Sequence, residues 1–199
     1  MNNNILLRHL EPYRDESLAS YLVRTAEKNY IELNCVREKI NVRKSKFLRE
    51  FNYIKDHKLL ERISQLVSID SEILIQMTLN KYEYLSDLNN EGVDKYFFEE
   101  YVMDTKFSKY CPICLREKEY HMINWQLRDI EICLEHQVKL IQFCSKCGRN
   151  IEIHTVVNRE CDCKNSLIEG EVEYVTYKEL IDYQSRMYSL LESIRNVLY

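Results

Sequence analysis

The chain has 199 residues, with 28 Lys+Arg, 32 Asp+Glu, 5 His and 8 Cys and a net charge of −4. That length holds one domain or two small ones, and only 3 Gly and 2 Pro are present. Flexible, Pro-rich and low-complexity linkers are therefore excluded. So is a glycine-rich phosphate loop, because Gly92, Gly148 and Gly170 are isolated. No apolar run reaches the ~18–20 residues of a membrane span. The opening Met-Asn-Asn-Asn-Ile-Leu-Leu-Arg lacks the order of a secretory signal. The expectation is a cytoplasmic protein without a membrane partner.

The acidic balance argues against a general nucleic-acid binder, but the charge is unevenly spread. Residues 37–49 carry Arg37, Lys39, Arg43, Lys44, Lys46 and Arg49 against Glu38 alone, a local +5. Residues 70–104 carry nine acids against Lys81 and Lys95, a local −7. One stretch suits phosphates and the other a basic partner; two solvated faces are the plain alternative.

In chain order, residues 1–14 read as extended. A helix follows from Asp15, a possible cap, with Leu18, Tyr21, Leu22, Thr25 and Ala26 at three/four spacing. A short helix is predicted over 45–54. A third spans 56–67, with Leu59, Leu60, Ile63, Leu66 and Val67 on its apolar face, and a fourth starts at Asp70 or Ser71. Residues 57–78 have the outline of a helix-turn-helix, whose second helix would enter a DNA groove. Its start, Asp70-Ser71-Glu72, would bring two negative charges to the phosphates, so a packed hairpin or a protein-binding surface is preferred. The Tyr- and acid-rich residues 79–108 carry no clear element. A last helix over 176–198 places Leu180, Gln184, Met187, Leu191, Ile194 and Leu198 on a heptad-like stripe. That stripe either closes the core or forms a docking or dimer surface.

Seven of the eight cysteines fall between 111 and 163. They form Cys111-x-x-Cys114, Cys133-x-x-His136, Cys144-x-x-Cys147 and Cys161-x-Cys163. Ligands three positions apart in a tight knuckle both reach one tetrahedral metal, so four pairs suit two structural zinc ions. Eighteen residues separate Cys114 from Cys133 and thirteen separate Cys147 from Cys161, lengths that suit strand–turn–strand excursions. Sequential pairing gives Cys111, Cys114, Cys133 and His136 as one site and Cys144, Cys147, Cys161 and Cys163 as the other. The interleaved alternative joins the first pair to the third. Sequential pairing is preferred because each site closes on its own loop. Disulfides do not suit a cytoplasmic chain. Four protein ligands per ion leave no position for a catalytic water, and no Ser/His/Asp ordering appears. Cys35 stands apart and reads as a small buried hydrophobe. Trp125, the single Trp, is expected to plug the core between the metal and the helices.

Several of these segments carry a family resemblance. They are Pro12-Tyr13-Arg14-Asp15-Glu16-Ser17-Leu18-Ala19-Ser20-Tyr21-Leu22-Val23-Arg24, Tyr110-Cys111-Pro112-Ile113-Cys114-Leu115, Trp125-Gln126-Leu127, Cys133-Leu134-Glu135-His136 and Cys144-Ser145-Lys146-Cys147-Gly148. In their order and spacing over residues 8–164 the chain resembles the TniQ family, the targeting proteins of heteromeric bacterial transposons. Two features depart from that pattern. Lys164 follows Cys163 where the family often has Gly, and the chain ends soon after the cysteines, whereas longer members carry a DNA-binding extension.

The resemblance implies an α+β, mainly helical fold. A helix-turn-helix-like part (1–108) precedes tandem zinc fingers (109–170) and a C-terminal helix (171–199). It also implies a non-catalytic adaptor that links a target-site recogniser to an AAA+ ATPase regulator. In CRISPR-associated transposons the recogniser is an RNA-guided effector, and a short chain resembles that adaptor type. Residues 37–49 are then expected to touch DNA or guide-RNA phosphates, and the segment holding Tyr96, Phe97 and Phe98 to dock on the ATPase. The rival readings are a stand-alone sequence-specific DNA binder and a RING-like module. The RING-like module is disfavoured by the seven residues between His136 and Cys144. Monomer and homodimer both remain open.

Overall fold

The computed structural model describes residues 6–43, 48–82 and 107–197, with side chains up to residue 192 in the last helix. Helix α1 (Leu18–Lys28) starts at Ser17, whose Oγ accepts the Ser20 N–H. Asp15, expected as the cap, instead takes φ 62 and turns the chain into the helix. Helix α2 (Leu33–Lys39) was not anticipated. Its N-cap residue Glu32 makes no side-chain cap bond, and only Val36 within it is buried, so packing against the helical core stabilises it more than capping does. The helix expected over 45–54 is a 3-10 turn, Leu48–Asn52.

Helices α3 (His57–Val67) and α4 (Ser71–Gln76) follow the sequence closely. Asp56 and Asp70 cap them by accepting the Lys58 and Glu72 N–H groups. Ser68, in the left-handed region at φ 56, ends α3. The predicted apolar face of α3, from Leu59 to Val67, is buried. A second 3-10 turn, Leu79–Tyr82, carries Leu79 and Tyr82 into the other half of the molecule.

Beyond residue 106, helix α5 (Pro112–Glu117) begins inside the first cysteine knuckle. Strands β1 (Ile132–Cys133) and β2 (Val138–Lys139) pair antiparallel, with Ile132 opposite Lys139 and Cys133 opposite Val138. Residues 173–175 line the free edge of β2: Lys139 N–H donates to Glu173 O (2.9 Å) and Val175 N–H to Gln137 O (2.8 Å). Helix α6 (Ile153–Val157) and helix α7 (Lys178–Val197) complete the α-helices and strands among the described residues.

Two apolar cores result, and each borrows from the other half. The helical core of α1–α4 takes in Ile153 and Val157 from α6. The cysteine-rich core takes in Tyr53, Leu79 and Tyr82 from the helical side and Leu191 from α7. The α7 stripe faces inward through Leu191 and the fully buried Gln184, with Met187 packed against the same core. Gln184 Oε1 accepts the Glu131 (3.0 Å) and Ile132 (3.4 Å) N–H groups, and its amide donates to Asp129 O. A polar residue in an apolar stripe thus satisfies the outer edge of β1. Ile194 and Leu198 of the stripe lie outside the residues whose side chains are described.

The buried Lys109 holds the turn ahead of β1. Its ammonium donates to the carbonyls of Leu127 (2.6 Å), Arg128 (3.1 Å) and Ile130 (2.7 Å). Lys109→Met keeps the apolar stem but strands buried acceptors, each costing about 1–3 kcal/mol. A loss of at least ~3 kcal/mol is expected in chemical denaturation. A midpoint equal to the parent's would show that the lysine carries no such role.

Candidate metal centres

The cysteine pairs converge sequentially. Cys111, Cys114, Cys133 and His136 place their donor atoms within 4.8 Å of one another, and so do Cys144, Cys147, Cys161 and Cys163. In the first group His136 Nδ1 lies 3.7 Å from Cys111 Sγ, 3.3 Å from Cys114 Sγ and 3.5 Å from Cys133 Sγ. The Cys114–Cys133 sulfur separation is 3.5 Å. In the second, Cys144–Cys163 and Cys147–Cys161 are 3.6 and 3.8 Å apart. A tetrahedron built on a Zn–S distance of ~2.3 Å and a Zn–N distance of ~2.0–2.1 Å has edges of about 3.5–3.8 Å. The donor gaps match those edges and are far longer than the ~2.05 Å of a disulfide bond.

Local geometry prepares each centre. Cys111 is the N-cap of α5, and its sulfur accepts the Cys114 N–H at 3.4 Å. Hydrogen bonds from Cys114 and Cys133 hold the Cys111 thiol well below its ordinary pKa, and the same contacts push Cys114 up. The Cys111 and Cys114 thiols cannot both ionise at this separation without a cation between them, which is the chemistry a dication supplies. Around Cys144, burial opposes the thiolate, but the Cys147 and Lys146 backbone N–H groups outweigh it and lower the thiol to about 6. Gly148, at φ 68, closes this second knuckle. Glu117 and Glu135 bring carboxylate oxygens within 4.8 Å of the His136 imidazole and of each other. Glu135 Oε2 also lies 3.7 Å from Cys114 Sγ, beside the first donor set. Lys118 holds Glu135 at 2.7 Å.

The excursions between ligand pairs are not the strand–turn–strand loops expected. The first contains the 3-10 turn Ile123–Gln126 and the second contains α6. The β-branched Ile153, Thr155, Val156 and Val157 read locally as a strand, yet both faces of α6 meet apolar cores, and a helix serves two faces at that length. Trp125 does plug the core, 1% exposed among Cys111, Cys114, Cys133 and Tyr82.

A buried polar seam joins the opening motif to the chain leading to the first centre, and sequence reasoning missed this pairing of its members with His121. Ser17 N–H donates to His121 O (2.8 Å) and Ile123 N–H to Asp15 O (2.9 Å). His121 N–H donates to Ser20 Oγ (3.0 Å), and His121 Nδ1 meets Ser17 Oγ at 3.1 Å. Ser20 donates to Glu16 Oε1 (3.0 Å), and Arg24 pairs with Glu16 at 3.1 Å. Burial and the Lys109 ammonium lower His121 to about 3, and burial raises Glu16 to about 7 against the pull of Arg24. Both side chains are wholly buried, so the Ser17–His121 contact is a structural joint rather than an exposed dyad. The sequence clue was the polar run Asp15-Glu16-Ser17 ahead of an apolar helix, which capping alone does not use up.

The basic stretch meets different fates. Arg49 pairs with Glu152 at 3.1 Å, and Arg37 Nη1 donates to Asn34 Oδ1 (3.0 Å) while burial lowers its pKa. Lys39 also has a partner. Arg43 lines a cleft of about 430 Å³ with Glu50, Asp56 and Arg62. Lys44 and Lys46, and the aromatic residues Tyr96, Phe97 and Phe98, lie outside the described residues. Cys35 is half-buried and belongs to neither donor group. No helix among the described residues is long and apolar enough to cross a membrane.

These features define a mainly helical protein locked to two four-donor centres of zinc-finger type. The family model for TniQ matches residues 7–140, and the chain belongs to the TniQ family. The match spans the opening motif, the polar seam and the first centre; the second centre lies beyond it and rests on its own geometry. No curated protein matches the chain. Membership of the TniQ family supports a transposition-associated adaptor role.

Proposed function

We propose that this chain is a targeting adaptor of DNA transposition that couples a target-site recogniser to an AAA+ ATPase regulator, with an RNA-guided CRISPR effector as the recogniser. The observation that carries this reading is the family match over residues 7–140. The donor sets support it: each presents four protein ligands and leaves no open position for a metal-bound water. The two ions are structural zinc, held by Cys111, Cys114, Cys133 and His136 and by Cys144, Cys147, Cys161 and Cys163.

In this reading the protein works in the cytoplasm as a rigid bridge. Arg43, Lys44 and Lys46, with Lys39 and the anchored Arg37 and Arg49, meet nucleic-acid phosphates where recogniser and ATPase join. The segment holding Tyr96, Phe97 and Phe98 docks on the ATPase. The test is capture from host lysate on the zinc-loaded chain, with bound protein and RNA identified. Co-recovery of an AAA+ ATPase with RNA-guided effector subunits is expected. Recovery of one enriched DNA sequence and no ATPase would replace this reading with a direct DNA reader.

A further inference from the structure

The second knuckle carries a charge pattern that metal binding does not use. Between Glu135 and Glu152 the chain has no acid, and its cations are Lys139, Lys146 and Arg149. Lys139 pairs with Glu173. Lys146 and Arg149 sit on the exposed run 145–150, and among the described residues neither has a carboxylate within ion-pairing distance. Most other described arginines are engaged: Arg24 with Glu16, Arg49 with Glu152, Arg62 with Asp56, Arg159 with Glu119 and Arg116 with the Ile168 carbonyl.

The fold brings this knuckle beside the basic stretch. Residues 142–151 form a tight hairpin, with Ile151 N–H donating to Gln142 O (2.8 Å) and Cys144 N–H to Arg149 O (2.9 Å). At its base Glu152 binds Arg49. Arg149 lies three residues upstream, at most about 10 Å of chain. Arg43 lines a cleft with Glu50, a residue of the same 3-10 turn. The Arg49–Glu152 pair therefore sets two sequence-distant cationic segments next to one another. Phe143, the aromatic side chain at the hairpin, is engaged edge-on with Phe107 at 5.4 Å between centroids. The knuckle offers cations beside a single half-exposed ring that is held edge-on to Phe107, which suits a phosphate backbone better than a run of stacked, unpaired bases.

We propose that Lys146 and Arg149 on the second knuckle bind the phosphate backbone of duplex DNA and extend the contact surface that begins at Arg43. This rests on the reading of the basic stretch as a nucleic-acid surface, and it assigns the second centre a role beyond folding: it fixes the two cations on a rigid tip.

The test compares Lys146→Glu/Arg149→Glu and Arg43→Glu with the parent, all zinc-loaded. Binding to a fluorescein-labelled duplex and to a single-stranded RNA of equal length is measured across a salt series. The knuckle variant is expected to lose about tenfold or more in duplex affinity at ~0.1 M salt, and its log–log salt slope to shrink by about 2. Zinc content and melting temperature should stay at parent values; if they do not, the neutral pair Lys146→Gln/Arg149→Gln is read instead, with a smaller loss in the same direction. Parent-like duplex binding by the knuckle variant, with Arg43→Glu impaired, would overturn the knuckle proposal and leave the basic stretch standing. Loss by neither variant would remove both. A loss confined to the RNA would overturn the assignment to duplex DNA.

Discussion

Stripping the metal is expected to unfold both halves of the protein in one transition, not the cysteine-rich half alone. The second centre closes on α6: Cys144 and Cys147 precede that helix, and Cys161 and Cys163 follow it. From α6, Ile153 and Val157 enter the helical core while Val156 enters the other. Freeing both ends of α6 therefore withdraws side chains from two cores at once and loosens the Arg49–Glu152 pair. Structural zinc supplies roughly 10–16 kcal/mol in small finger peptides, as large as the ~5–15 kcal/mol that holds a typical domain folded. During chelator titration, far-UV circular dichroism and Trp125 fluorescence should change together. Loss of the Trp125 signal with the helical signal intact would show that α1–α4 stand alone. Cys161→Ser should bind one zinc instead of two and melt about 10–20 °C lower. Cys35→Ser, outside both donor groups, should stay within ~1 kcal/mol of the parent.

What was legible in the sequence follows the range of the interactions involved. Helices α3 and α4 could be read because their caps, Asp56 and Asp70, and their apolar spacing lie within one or two turns. The donor sets could be read because each knuckle is local and each pair closes the nearer loop. Helices α2 and α6 could not. Their residues lack caps, and α6 is rich in β-branched side chains, so both are set by cores assembled from distant segments. The 3-10 turn Leu48–Asn52 was mistaken for a helix because Leu48 and Phe51 satisfy helical spacing over a single turn. The buried polar roles of Lys109, His121 and Gln184 were not legible for another reason. A buried polar side chain is recognised by its partners, and those lie 18 to 104 residues away in sequence. Gln184 left the one visible trace, an amide in an apolar stripe.

The polar seam gives the protein a pH profile that single substitutions should unmask. His121, ordinarily near 6.5, is lowered to about 3 by burial and by Lys109. The unfolded chain then binds a proton that the folded chain refuses, so stability is full above 6.5 and is lost as pH falls toward 3. Glu16, ordinarily near 4.5, is raised to about 7 by burial, with Arg24 opposing. Its contribution has the opposite sign: full below 4.5 and lost as pH rises through 7. Each slope is ~1.4 kcal/mol per pH unit, so between about 4.5 and 6.5 the two nearly cancel and the parent should be flat there. Glu16→Gln keeps a hydrogen-bonding amide beside Tyr13 and Ser20 but no longer titrates. Its stability should climb by up to ~3 kcal/mol from pH 4.5 to 6.5. His121→Gln should fall over the same interval, leaving Glu16 unopposed. Protonation of the metal thiolates acts equally on parent and variants, so denaturation midpoints are compared as variant-minus-parent differences at each pH. Parallel profiles for Glu16→Gln and the parent would mean that Glu16 stays ionised in the folded state. The Arg24 guanidinium would then outweigh burial, and the seam would be held by a buried ion pair rather than by a neutral carboxyl.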